Sequence, residues 1–416
     1  MTGGPGPLIA APDVLRALAS TEPSAEGARL LGEVRRSKRL LLLRAILDAA
    51  PGTESAEHWA LLEEAERQDP AAVRDVLHYP ATGVWAEETL RRLHAPGGRA
   101  PAPDLGHLGA LAAAAALRAG ISFKSVLRPV QGRLVLPTLG LLRPARPGPV
   151  TLTEGAWDPA DPAALPLHAL PGGHTALDDL DPYRATAGPP AQLRPARRLT
   201  PRGHRRWDAQ WSAALTLLDR YDPARAGEAA GLLRSIVPLA GACRSTGATQ
   251  PAAPGSVLVR VQSPPALAAT LVHEIQHGKL AVLGDLLALH TADRTPRHWA
   301  PWRSDPRPFE GLLHGTYAHL ALARYWQRAA LYGARAAWAA HARYRAQVAA
   351  VLPALQESRQ LTPAGREFTA AMAEAERAMD ELPPPGGQYA TARAALDRER
   401  RAWLAAHPQL APVTPG

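Results

Sequence analysis

The 416-residue chain is 46% hydrophobic and 20% charged, the balance of an ordinary globular protein long enough for two or three structural units. Its formal net charge of +9 is carried almost wholly by arginine, since lysine occurs only at Lys38, Lys124 and Lys279. These basic residues are scattered, as in a GC-rich coding sequence, so the charge argues for no nucleic-acid surface.

A single cysteine, Cys243, excludes an internal disulfide framework and any cysteine-rich zinc module. Met1-Thr2-Gly3-Gly4-Pro5 lacks a basic segment followed by a long apolar run, and Leu108–Leu117 is too short to cross a bilayer. A cytoplasmic protein without a membrane partner is expected.

In chain order, residues 1–95 read as a helical N-terminal region, with helices at Asp13–Ala19, Ala28–Ala49, Glu57–Gln68, Ala71–Leu77 and Trp85–Leu93. The Pro/Gly-rich run Ala95–Pro103 breaks this pattern and reads as a linker. Residues 105–200 form a mixed region. It opens on a small-residue helix, Leu105–Ala119, with Gly120 as its C-cap. Ser122–Val126 and Arg133–Pro137 read as paired strands around Gln131-Gly132, and Val150–Thr153 as a further strand. The cluster Asp178-Asp179-Leu180-Asp181 reads as a solvated turn in preference to a second metal site.

From 201 to 416 a helical domain is expected. Trp207–Tyr221 and Pro223–Ser235 read as helices, Gly241–Pro254 as a loop and Ser256–Val261 as a strand. Helices resume at Pro265, break between Thr291 and Pro308, and continue as Gly315–Val351, Pro363–Glu381 and Gln388–Ala406. The fold class is therefore mainly α with a small β portion (α+β), the metal-bearing helices lying in the C-terminal half.

The chemistry concentrates in Leu271-Val272-His273-Glu274-Ile275-Gln276-His277. Imidazoles four residues apart stack one turn above the other on a helix face, the spacing with which two side chains grip one divalent ion. Their apolar neighbours place the helix inside the protein, where paired histidines need a partner.

Two ligands do not complete a site. His314 is the leading candidate for the third, with Glu310, four residues earlier, as the alternative; His290, His298 and His319 also lie downstream, and His319 is expected to point away from His314's face. With a third ligand the set suits Zn2+, where Glu274 acts as general base for water, as in metallopeptidases. It suits equally an Fe(II) that binds a 2-oxo acid and dioxygen. Such an oxygenase needs a cation for the far carboxylate of its cosubstrate, and Arg303 and Arg307 precede His314; Arg303 pairing with Asp305 is the structural alternative. A helical adaptor with a closed, structural metal is the non-enzymatic reading.

The motif with Lys279-Leu280, the segment Trp302-Arg303-Ser304-Asp305-Pro306-Arg307-Pro308, and Gly311-Leu312-Leu313-His314-Gly315-Thr316-Tyr317-Ala318 resemble the HExxH-type 2-oxoglutarate-dependent peptide β-hydroxylases. These are actinobacterial enzymes of ribosomal peptide natural-product (RiPP) biosynthesis that were first labelled metallopeptidases. Weaker similarities extend upstream to Val84-Trp85-Ala86, Leu134–Gly140 and Leu177–Arg184. The resemblance implies a dioxygenase that uses Fe(II), 2-oxoglutarate and dioxygen to hydroxylate a side-chain β-carbon of a precursor peptide. It implies His273, His277 and His314 as metal ligands and Arg303 or Arg307 at the cosubstrate. Glu274 is then not needed as a base for water and is expected to hydrogen-bond near the metal.

Overall fold

A computed structural model describes residues 8–95, 102–186, 193–241 and 246–410. Cys243 and most of the expected linker at Ala95–Pro103 lie outside them. Among the described residues thirteen α-helices accompany ten short strands, so the protein is mainly α with a small β portion. The helices before the first strand are α1 (Pro12–Ala19), α2 (Ala25–Ala49), α3 (Thr53–Gln68), α4 (Pro70–His78), α5 (Pro80–Leu93) and α6 (Gly106–Ala119). Strands β1 (Lys124–Leu127), β2 (Leu134–Leu136), β3 (Gly140–Leu142), β4 (Val150–Thr153), β5 (Ala164–Pro166), β6 (His168–Ala169) and β7 (Ala176–Leu177) come next. Then follow α7 (Pro201–Tyr221), α8 (Pro223–Leu232), β8 (Ser235–Pro238), β9 (Gly247–Ala248), β10 (Ser256–Val259), α9 (Pro264–Leu286), α10 (Phe309–Leu331), α11 (Ala337–Gln356), α12 (Pro363–Arg377) and α13 (Gln388–Ala406). No described helix is long and apolar enough to cross a membrane.

The chain forms two compact units that each draw on separate stretches, where three consecutive regions were expected. One comprises Gly32–Ser212 and Leu232–Ser263; the other comprises Met1–Leu31, Ala213–Gly231 and Pro264–Gly416. The interleaving has a physical origin in the sheet. β8 and β10 come from residues 235–259, yet β8 pairs in parallel with both β10 and β7, and the sheet order is β6-β7-β8-β10-β9. Sequence adjacency does not disclose a pairing that returns across some sixty residues.

In the first unit α6 is the core element. His107 through Ala116 are all buried, and the alanine run lets α3 and α4 approach its backbone closely. Gly109 is obligatory there, because a Cβ would meet the His58 ring and Leu127. The helix ends at Gly120 with φ +64°, the left-handed C-cap expected.

Three expectations need correction. β1 pairs with β4 and β2 with β3, not β1 with β2. Pro129 follows β1 and has no N–H to extend a ladder, so Gln131-Gly132 closes only the single bridge Val130–Arg133. The helix expected to run to Ser235 stops at Leu232, and Ser235–Pro238 is a fully buried strand. Finally, the aspartates at 178, 179 and 181 are buried, not solvated.

Their bonds explain the burial. Asp178 accepts from the Tyr79 hydroxyl at 2.6 Å and from the Leu180 and Asp181 amides. Asp179 accepts from Arg198 at 2.7 Å, from the Leu199 amide and from the His204 ring. Burial and the neighbouring Asp178 hold the Asp181 carboxyl well above the usual carboxylate range, so it is protonated at neutral pH.

In the second unit α10 packs against both α9 and α11, and α11 packs against α12 and α13. The long helix expected over Gly315–Val351 is two, because the chain turns at Gly333 with φ +100°.

Candidate metal centre

Two prolines, Pro264 and Pro265, open α9 where missing backbone donors cost nothing, and the helix that follows buries one apolar side, including Leu267, Leu271, Val272, Ile275 and Leu280. The motif histidines meet as their spacing demands. Nε2 of His273 and Nε2 of His277 are 3.1 Å apart, with ring centroids at 4.7 Å. Two nitrogens each bound to one ion at about 2.0–2.1 Å stand roughly 3.0–3.4 Å from each other, so this pair fits a shared cation. The same distance fits one N–H donating to the other ring's lone pair.

Helix α10 brings two more imidazoles alongside. The His314 ring lies 5.8 Å from that of His277 and nearly parallel to it, while the His319 ring lies 5.4 Å from that of His273. His319 was expected to point elsewhere. It flanks the motif because α10 crosses α9 closely enough for both sides of its inner face to reach the pair. Among the described residues, however, no three His, Cys, Asp or Glu side chains converge as a metal-holding group. The two motif histidines meet, and His314 lies adjacent to them without closing a three-residue group. His290 and His298 turn their rings to Phe309 instead.

Electrostatics favour the ligating form throughout. Burial, then His319, lowers His273 to about 3. Burial, then His273 and His314, holds His277 well below its usual value. Burial likewise lowers His314 to about 4 and His319 to about 3. All four rings are neutral at pH 7, the state that offers a lone pair to a metal.

The opposite side of α9 is anchored by charge. Lys279 and Gln276 both reach Glu228 of α8, Lys279 at 2.7 Å, and Arg225 holds the same carboxylate at 2.8 Å. All three charged side chains are shielded from solvent, none more than 5% exposed. The surrounding cations draw Glu228 below its ordinary pKa despite its burial. A buried pair of this kind contributes orientation more than stability, because desolvation offsets most of the attraction. Here it fixes the rotation of α9, which sets where His273 and His277 point. Sequence reading missed this anchor; the one available signal was a lysine in an otherwise apolar helix.

Trp302 supports the other flank. Its indole lies edge-on to His319 at 4.4 Å and covers Gly315. The remaining expected site residues are placed as follows. Glu274 is buried on α9. Glu310 is exposed in the first turn of α10, near enough to raise His314 against the effect of burial. Arg303 and Arg307 both bond Asp305, at 2.9 and 3.3 Å, in a largely solvated triplet. No protein-family model matches the chain, and no curated protein is similar to it.

Proposed function

We propose that the protein is an Fe(II)- and 2-oxoglutarate-dependent dioxygenase that hydroxylates a side-chain β-carbon of a ribosomally made peptide. The observation that carries this reading is the preassembled, neutral His273–His277 pair with His314 next to it. Two nitrogens in hand and a third within reach leave several coordination positions for small molecules, which a closed structural site does not. Bound there, iron, 2-oxoglutarate and dioxygen would supply the oxidant: one oxygen atom of dioxygen would enter the C–H bond, and the other would enter the succinate formed as the cosubstrate loses carbon dioxide. The chain's own contribution is positional. His273 and His277 hold the metal, His314 supplies the third nitrogen, and the Glu228 anchor keeps α9 from rotating. Arg303 or Arg307 binds the far carboxylate of 2-oxoglutarate, and the buried Glu274 hydrogen-bonds near the metal.

A zinc peptidase is the second reading, favoured by one specific feature. Asp305 engages both arginines, leaving neither unpaired for a cosubstrate. In that case Glu274 is the general base for water.

Anaerobic titration of the full chain with Fe(II) and 2-oxoglutarate separates the two. The oxygenase reading expects a metal-to-ligand charge-transfer absorption that His273→Ala and His277→Ala abolish. It also expects a gain of one oxygen mass on a peptide once air is admitted. Zinc-dependent cleavage without cosubstrate, lost entirely in Glu274→Gln, would replace it with the peptidase.

A further inference from the structure

A cavity of about 260 Å³ opens in the unit that does not contain the histidine pair. Tyr79 after α4, Arg118 at the end of α6, Thr138 in the β2–β3 turn, Thr175 before β7 and Arg234 before β8 contribute to its wall. Three of these polar groups are already committed. The Tyr79 hydroxyl donates to Asp178, Arg118 pairs with Asp75 at 3.0 Å, and the Thr175 hydroxyl donates to the Leu233 carbonyl at 3.4 Å. Arg234 and Thr138 are not. Among the described residues the Arg234 guanidinium has no hydrogen-bond or ion-pair partner. Thr138 adopts φ +70°, a conformation unusual for a β-branched residue, and its Oγ1 is buried with no partner.

The ground behind Arg234 is short of negative charge. Arg35 is 8% exposed, its described polar contact is a 3.5 Å approach to His78 Nδ1, and its Nε is unpartnered. Burial, then the like charges of Arg234 and Arg39, lower Arg35 to about 10. The same surroundings push His78 down to about 3, so it adds no charge of its own. A buried guanidinium without a counter-charge is costly, and an anion next to it removes that cost.

We propose that this cavity binds a small oxyanion, a carboxylate or a phosphate, received by the Arg234 guanidinium and the Thr138 hydroxyl with Arg35 behind them. Guanidinium and hydroxyl are both donors suited to such oxygens. The volume lies just under the range of about 300–1,000 Å³ typical of drug-sized ligands, which limits the occupant to a phosphate, a short dicarboxylate or one acidic side chain. The proposal is independent of the metal reading, because the cavity and the histidine pair belong to different units.

Calorimetric titration of the full-length protein with sodium phosphate, succinate and N-acetyl-glutamate amide tests it and separates the sources. At least one probe should bind one-to-one, and Arg234→Gln should weaken it at least tenfold. Phosphate alone would assign a phosphoryl ligand; succinate or the glutamate derivative would assign a carboxylate. Should the variant fail to fold, phenylglyoxal labelling of the wild-type chain gives a second readout by mass spectrometry. The bound probe should protect Arg234 and leave exposed arginines such as Arg16 unprotected. Absence of binding by all three probes at 10 mM, equal binding by the variant, or labelling of Arg234 that no probe slows would each overturn the assignment.

Discussion

Asp305 holds Arg303 and Arg307 at once, and the three side chains are 34–53% exposed. Hydrogen bonding from Arg303 keeps its carboxyl below the usual range, but exposed pairs of this kind contribute only about 0–1 kcal/mol to stability. The triplet can therefore open to receive a ligand carboxylate at little cost, and stability and binding are separable here. We expect that Arg303→Gln or Arg307→Gln, whichever arginine serves the cosubstrate, raises the KM for 2-oxoglutarate at least tenfold while the melting temperature moves by no more than about a degree. Unchanged KM in both variants would place the cosubstrate cation elsewhere. The residues also differ in how openly the sequence announces them. The 273/277 pair follows from helical periodicity alone, and the Asp305 pairing is local enough to be anticipated. His319 beside His273, and Glu228 beneath Lys279, depend on how α9 meets α10 and α8, which no spacing within a single segment encodes.

The junction of α9 and α10 is where an element-level contact controls the site. Gly315 lies on the inner side of α10, and a Cβ there would collide with the Trp302 indole, the ring that braces His319. Helix propensity alone favours alanine over glycine by up to about 1 kcal/mol. Overpacking a close contact costs roughly 1–3 kcal/mol, so the collision decides the sign. Gly315→Ala should lower the urea midpoint and weaken Fe(II) binding, since Trp302, His319 and His273 move as a chain of contacts. Gly284→Ala, on an exposed position of α9 with open space around its Cβ, should instead stabilise by about 0.5–1 kcal/mol. Equal effects from the two substitutions would remove Trp302 from the account. Helix existence was legible because long periodic segments with proline starts and glycine stops dominate this chain; α13 coincides with its expected bounds. The strand β8 was not, because Ile236 and Val237 directly after a helix read as its continuation, and only pairing with β7 and β10 makes them a strand.

Across the whole molecule, buried histidines set the dependence of stability on pH. His78 and His319 titrate near 3 because burial penalises their charged forms, and His107 is lowered for the same reason. In the unfolded chain each returns to about 6.5. Below pH 6.5 the unfolded state therefore binds protons that the folded state refuses. The stability these groups confer is complete above 6.5 and is lost as pH falls, on the order of 1.4 kcal/mol per group per pH unit. Asp181 acts in the opposite sense. Its folded pKa is raised by burial and Asp178, so the folded state binds the extra proton, and stability declines as pH rises above the ordinary carboxylate value until Asp181 ionises. The histidines outweigh the carboxylates on the acid side, whereas above 6.5 the raised carboxyls of Asp181 and its neighbour Asp178 act. The urea midpoint of the chelator-treated protein should thus peak near pH 6.5, drop steeply towards pH 5 and fall gently towards pH 8. Asp181→Asn should flatten the alkaline limb and steepen the acid limb, where Asp181 opposes the histidines. A midpoint that holds level from pH 6.5 to 5 would mean that these imidazoles become charged within the fold, and the neutral, metal-ready state assigned to the buried histidines at positions 273, 277 and 314 would fall with them.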